Sequence, residues 1–220
     1  MRNYTNKNRQ HKYPPTTINN YISHVIYINI DARKDRKERI LKELSIFDPK
    51  KITRVSAVKN LDNPIIGCTQ SHIKALKLAK KMQYPNVLIL EDDAVWANVT
   101  KGYSVFEHLL QKPYDVIMLG GTMPNFNKNT FAVNFSYGAH AYLVNSSYYD
   151  TIISEAENAI KFYNPSRPGG RKEDAAINVK YTTLQPKHKW FIVSPPLMFQ
   201  GKSYSNIEKT SVNHSPNQIY

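Results

Sequence analysis

The chain has 220 residues, 41% hydrophobic and 21% charged, which is enough for one substantial globular domain and too few for two comfortable ones. Its formal charge of +13 favours anionic partners such as nucleotides, nucleic acid or acidic surfaces, although scattered lysines of this kind also make an ordinary solvated surface. One cysteine, Cys68, excludes an internal disulfide, and no apolar run is long enough for a signal peptide or a bilayer span, so a soluble protein of a reducing compartment is expected.

Residues 1–20 are polar and basic with a Pro-Pro pair, and read as a flexible tail ahead of a single domain over 21–220. The domain opens on an apolar strand, residues 25–30. The segment from Asp31 to Arg36 follows, then a helix with Ile40, Leu41, Leu44 and Phe47 at helical spacing, ended by Asp48-Pro49. Residues 52–58 form a second strand. A loop leads to the run from Gly67 to His72 and a helix with Ala75, Leu76, Ala79 and Met82 on its inner stripe. After the Pro85-Asn86 turn, Val87 to Leu90 make a buried strand that ends in Glu91, Asp92 and Asp93. Further strands are expected over 114–121, 139–144 and 190–194, and helices over 146–160 and 173–181. A marked loop covers 164–170, and the chain from about Gln200 is polar and irregular. Strands alternating with helices predict a three-layer α/β fold with a mainly parallel sheet.

Three acids at a strand end are the most chemical feature. Alternation projects Glu91 and Asp93 to one side and Asp92 to the other. Ligands of open α/β sheets sit beyond the C-terminal strand ends. Oxygen-only donors there suit Mg²⁺ or Mn²⁺ shared with substrate phosphates. The competing reading is a set of solvated or capping acids. In the segment from Gly169 to Asp174, the glycines allow close backbone approach and the acids fall at a helix start. That is either ordinary dipole pairing, worth about 0.3–1 kcal/mol each, or a general base at Asp174. Arg33 and Arg36 suit a diphosphate or a plain helix surface. His72 falls on an inner helical stripe and reads as structural or supporting. Cys68 lacks a neighbouring base and reads as an inert thiol.

These stretches together resemble glycosyltransferase family 25, which includes lipooligosaccharide and collagen galactosyltransferases. The resemblance rests on residues 26–30 with Arg33 to Arg36, residues 54–57, 67–72, 88–93, 114–120 and 141–144, then Pro195-Pro196-Leu197 and residues 200–207. It spans roughly residues 24–207. It implies an A-type glycosyltransferase fold, a Rossmann-like domain whose metal-binding DxD element falls on Glu91-Asp92-Asp93. It implies Mn²⁺ (or Mg²⁺) held by Glu91 and Asp93. Of the late histidines His188 and His214, neither fits the expected loop clearly; His214 is taken as the metal candidate, with Gln200 or water in its place otherwise. Donor contacts fall on Asn29, Arg33, Arg36, Ser71, Glu91, Asp92, Gly169, Gly170 and Gln200. Glu173 and Asp174 form the catalytic acidic pair, with Asp174 the base of an inverting reaction.

The expected function is transfer of galactose or glucose from a UDP-sugar to an acceptor hydroxyl on a glycan or protein, without specific nucleic acid. The rivals are a Mg²⁺-dependent phosphohydrolase, a basic nucleic-acid-binding protein and a degenerate transferase. The abundance of Asn, Lys, Ile and Tyr suggests an AT-rich genome such as that of a large DNA virus. The expected location is the cytoplasm, or a viral factory or virion for a viral chain.

Overall fold

A computed structural model describes residues 16–97, 100–164, 166, 170–201, 203–205 and 210–212. In chain order the elements are α1 (Thr16–Tyr21), β1 (His24–Asn29), α2 (Lys34–Glu43), β2 (Ile52–Ser56), α3 (Pro64–Lys81), β3 (Asn86–Glu91), β4 (Ala94–Trp96) and α4 (Thr100–Leu110). They continue with β5 (Val116–Met118), β6 (Thr122–Phe126), β7 (Val133–Tyr137), β8 (Ala141–Asn145), α5 (Tyr149–Lys161), α6 (Ile177–Leu184), β9 (Trp190–Ile192) and β10 (Met198–Gln200), then a final hairpin of β11 (Ser203–Ser205) and β12 (Thr210–Val212).

The central sheet has six strands in the order β2-β1-β3-β8-β5-β9. Only β8 runs against the rest, pairing antiparallel with β3 and β5. This is the expected Rossmann-like three-layer architecture with a mainly parallel sheet. Strand alternation builds both cores. Ile26, Ile28, Val87 and Ile89 face one layer with Leu76 of α3, Ile152 of α5 and Tyr181 of α6. Val25, Tyr27, Leu88 and Leu90 face the other, with Ile40 of α2 and Phe106 of α4. From β1 the chain first steps outward to β2, then crosses back to place β3 on the other side of β1. The crevice where strand order reverses thus opens between the C-terminal ends of β1 and β3, and the acids stand there.

Several boundaries differ from expectation for physical reasons. Residues 16–20 are not tail: α1 sends Ile18 into the core one turn before Ile22, and the Asn19 amide donates to the Ile46 carbonyl at 2.8 Å. Residues 1–15 lie outside the described chain. The third helix begins at Pro64, before Gly67, because the Asn63 side chain accepts from the backbone N–H groups of Ile65 and Ile66. Gly67 therefore sits inside a helix, where a Cβ would lie 2.6 Å from the Val58 carbonyl oxygen. The 146–160 helix is a 3-10 turn leading into α5, and its cap is Asn145, which accepts from Ser147 N–H. The segment 94–113 holds β4 and α4, and 122–137 is the β6–β7 ribbon, none of which the apolar patterning announced. The stretch around Gln200 is ordered as β10, antiparallel to β4.

Candidate active site

Glu91 ends β3 on the α3 side of the sheet. One carboxylate oxygen lies 3.2 Å from His72 Nε2 and the other 3.5 Å from the Gln200 amide nitrogen. His72 is fully buried on α3, and its Nδ1 lies 2.8 Å from the Tyr142 hydroxyl. His140, which precedes β8, is also close. Its carbonyl accepts from Glu91 N–H at 2.9 Å. Burial acts to raise the Glu91 pKa, but the hydrogen bond and field of His72, with the fields of His140 and Arg36, outweigh it and hold the group below its ordinary value.

Asp92 turns to the opposite face, as alternation requires. It accepts from the Asn29 amide at 2.7 Å and from Arg36 at 2.8 Å. Asp93 departs from the alternation. The strand stops at Glu91, and Asp93, lying in the following turn, comes within 3.2 Å of Arg36. Its other carboxylate oxygen, Oδ1, is buried with no hydrogen-bond partner among the described residues. Burial, then the neighbouring Glu91 charge, pushes the Asp93 carboxyl well up from its usual range against the opposing pull of Arg36. Its carbonyl accepts from Gly201 N–H at 2.8 Å, which fixes the end of β10 beside the acids.

A buried carboxylate with an unsatisfied oxygen next to a second carboxylate is a costly arrangement without a cation. The donors are hard oxygens, as Mg²⁺ and Mn²⁺ require. Glu91 and Asp93 therefore fit a divalent ion. Gln200 is the side chain beside them that can supply a further oxygen.

The other expected contacts divide. Asn29 is 1% exposed, and its amide is used within the protein: it donates to Asp92 and to the Arg33 carbonyl at 3.1 Å and accepts from Arg54 at 3.0 Å. It shapes the crevice and does not offer a free group to a ligand. Ser71 differs from expectation in the same way: buried, it donates to the Gly67 carbonyl at 2.6 Å and accepts from Val58 N–H at 2.8 Å. Asp92 is likewise committed to Asn29 and Arg36. Arg36 is the guanidinium that offsets Asp92 and Asp93, and Arg33 makes a two-pronged pair with exposed Asp35.

Glu173 and Asp174 do not open an α-helix. They lie on a 3-10 turn over Lys172–Ala175, and α6 starts only at Ile177. Asp174 is half-buried and accepts from Arg171 N–H at 3.1 Å, while Glu173 is exposed. The turn is docked onto α3, because the Thr69 hydroxyl donates to the Ala175 carbonyl at 2.7 Å. Thr69 is less than one turn before His72. The acidic pair thus sits against the helix that supports Glu91. Gly170 is half-buried just ahead of this turn; Gly169 and His214 lie outside the described residues. His188 leads into β9, which runs parallel to β3, so it stands at the sheet end opposite the acids, where its ring packs on Tyr148.

The roles of His140 and Tyr142 went unnoticed in the sequence, whereas Gln200, expected near the cation, does lie beside Glu91. The strand pattern of 139–144 was visible, but only antiparallel insertion of β8 next to β3 brings its first residues to the acid end. Gln200 needed the β10–β4 pairing, which no local pattern encodes.

The acids stand where open α/β sheets bind their ligands, beyond the C-terminal strand ends at the switch point. The profile of glycosyltransferase family 25 (LPS biosynthesis protein) matches residues 34–166, more than half of the chain, and the protein belongs to that family; it is a glycosyltransferase. A search of curated proteins finds no match. Solved structures with a related course include A197 from STIV, with 12% identity, 88% of this chain and 95% of that one covered and a TM-score of 0.43. The apo-form glycosyltransferase GlyE of Streptococcus pneumoniae TIGR4 has 11% identity, coverage of 77% and 45%, and a TM-score of 0.46. The 4-diphosphocytidyl-2C-methyl-D-erythritolsynthase of Anaerococcus prevotii DSM 20548 has 11% identity, coverage of 93% and 79%, and a TM-score of 0.42. The alignment thus spans under half of the GlyE chain. Among the described residues no helix is long and apolar enough to cross a membrane.

Proposed function

We propose that this glycosyltransferase moves a hexose, galactose or glucose, from a UDP-sugar to an acceptor hydroxyl on a glycan or protein, with inversion and with Mn²⁺ or Mg²⁺ as cofactor. The observation that carries the reading is the buried Asp93 carboxylate with its unpartnered oxygen beside Glu91, at the mouth of the β1–β3 crevice. Glu91 and Asp93 would hold the cation. When bound, it supplies neutralising charge to the departing diphosphate.

The chain's own residues do the rest. Arg36, braced by Asp92, keeps the acids from repelling one another and adds positive charge at the rim. Arg33 stands one turn earlier on the same rim. His72 and Tyr142 fix the Glu91 carboxylate in one orientation. Asp174, held on a turn docked to α3, accepts the proton of the acceptor hydroxyl. That oxygen attacks the anomeric carbon from the face opposite UDP, a new C–O bond forms, and the bond to the UDP oxygen breaks. The transition state carries oxocarbenium character, as in glycoside cleavage. Positioning supplies most of the effect, because a carboxylate is a weak base for a hydroxyl proton. Glu173, exposed beside Asp174, would meet the acceptor. Gly169 and Gly170 offer backbone to the donor sugar.

The test is UDP release from UDP-galactose and UDP-glucose with hydroxyl acceptors, in Mn²⁺ and after chelation. Wild-type turnover that vanishes on chelation, and in Asp93→Asn and Asp174→Asn, is expected. Full turnover in chelator, or in Asp93→Asn, contradicts the cation reading; full turnover in Asp174→Asn removes its role as base.

A further inference from the structure

Beside the oxygen donors of Glu91 and Asp93 lies a second donor set of different character. Cys68 and His72 are four residues apart on α3, one turn along the same face. They converge on Glu91, and the thiol sulfur, an imidazole nitrogen and a carboxylate oxygen all lie within 4.8 Å of one another. We infer that Cys68, His72 and Glu91 form a three-ligand site for a thiophilic divalent cation of the Zn²⁺ class, adjacent to the donor-cation position and sharing Glu91 with it.

The chemistry favours this ion over Mn²⁺. Sulfur, imidazole and one carboxylate are the ligand types of four-coordinate zinc with an open fourth position, whereas Mg²⁺ and Mn²⁺ select oxygen. The support is also in place. His72 Nδ1 lies 2.8 Å from the Tyr142 hydroxyl. Donation from Nδ1–H to that oxygen leaves the Nε2 lone pair aimed at the site, and a metal-bound histidine commonly carries such an outer partner. The contact the cation replaces is the 3.2 Å bond between His72 Nε2 and Glu91. Two of the three ligands are rigid, being on an 18-residue helix packed into the core. Cys68 and Glu91 are only half-buried, so neither residue is sealed from solvent. Binding is balanced by release of the thiol proton to solvent, the thiolate then donating to the metal.

Occupancy has a consequence that rests on the transfer reading above. An ion held by Cys68 and His72 draws Glu91 away from Asp93, so Zn²⁺ at this site inhibits transfer.

The experiment uses Co²⁺ as a spectroscopic stand-in for Zn²⁺ on the full chain. Cys68 is the sole cysteine, so any thiolate-to-cobalt charge-transfer absorption reports this residue alone. A saturable band is expected, displaced by Zn²⁺, absent in Cys68→Ser, and requiring at least about tenfold more Co²⁺ in His72→Asn and in Glu91→Gln. It persists in Asp93→Asn, which removes only the neighbouring site. Circular dichroism verifies that each variant is folded, and Cys68→Ser keeps its Mn²⁺-supported turnover while losing sensitivity to Zn²⁺. A folded wild-type protein with no band at excess Co²⁺ overturns the site. A band unchanged in both folded His72→Asn and Glu91→Gln overturns the ligand set. Failure of the transfer reading looks different: no turnover in any metal, with the band intact.

Discussion

Asp92 and Asp93 are chain neighbours with opposite roles. Asp92 is paired twice, to Asn29 and Arg36, and closes the floor of the crevice. Removing it takes one of two carboxylates from the largely buried Arg36 guanidinium and an acceptor from the Asn29 amide, so Asp92→Ala is expected to lower stability by about 1–3 kcal/mol in chemical denaturation, whether or not metal is present. Asp93 has the reverse character: ionised, it is a liability until a cation arrives. Its carboxyl is pushed up to about 7 by burial and by Glu91. The folded state therefore holds a proton that the unfolded chain has already lost, and metal-free stability falls as pH rises from the ordinary carboxylate range through about 7. Asp93→Asn abolishes that decline, so the metal-free variant should melt higher than wild type at pH 8, by a margin that shrinks as pH falls toward about 4. Equal melting temperatures at pH 8 would contradict the assigned environment. The triplet itself was plain in the sequence because three acids close an apolar run, although solvated or capping acids give the same pattern. The division of labour within it was not, because it depends on β3 stopping at Glu91 and on Arg36 arriving from another element.

The element scale explains how remote segments reach the acids. At Gly120, a Cβ would lie 2.0 Å from the Met198 carbonyl oxygen, a backbone atom that cannot step aside. This close approach sets β10, and hence Gln200, next to Glu91. Gly120→Ala is expected to cost on the order of 3 kcal/mol in stability and to raise the Mn²⁺ concentration needed for half-maximal transfer. The Thr69 hydroxyl is the corresponding device for Asp174. Thr69→Val leaves the buried Ala175 carbonyl without its donor, a loss of about 1–3 kcal/mol. It should lower kcat about tenfold or more with little change in donor KM, because the turn carrying Asp174 loosens while the donor cleft does not. Legibility at this scale followed local signals. The apolar strands β1, β3 and β8 were visible in composition, whereas the helix start at Asn63-Pro64 reads as a loop by apolar spacing, because Gly67 falls inside the helix. The 3-10 turn under Glu173 and Asp174, the short β4 and the β10 strand were not, since three- and four-residue elements are fixed by tertiary pairing and leave no periodicity to read.

At the scale of the whole molecule, alternation of strands and helices was sufficient to forecast a three-layer α/β domain, and the reversal of strand order between β2-β1 and β3 explains why the acids matter. The reversed direction of β8 within the central sheet escaped the sequence because strand direction is a topological fact. The charge of +13 would give the chain a long-range pull on the anionic donor proposed above. Donor association should slow as ionic strength rises from 0.05 to 0.5 M while kcat stays nearly constant (salt levels chosen to move the Debye length from roughly 14 to 4 Å); stopped-flow measurement with a fluorescent UDP-sugar checks it. The central claim is that Asp93 and Glu91 grip a cation that holds the donor diphosphate. Calorimetric titration of UDP into wild type and Asp93→Asn, each with and without Mn²⁺, tests it most directly. The account predicts that Mn²⁺ tightens UDP at least about tenfold in wild type, roughly 1.4 kcal/mol, and not in Asp93→Asn. The same affinity with and without Mn²⁺ in wild type, or the same Mn²⁺ enhancement in the variant, would contradict it.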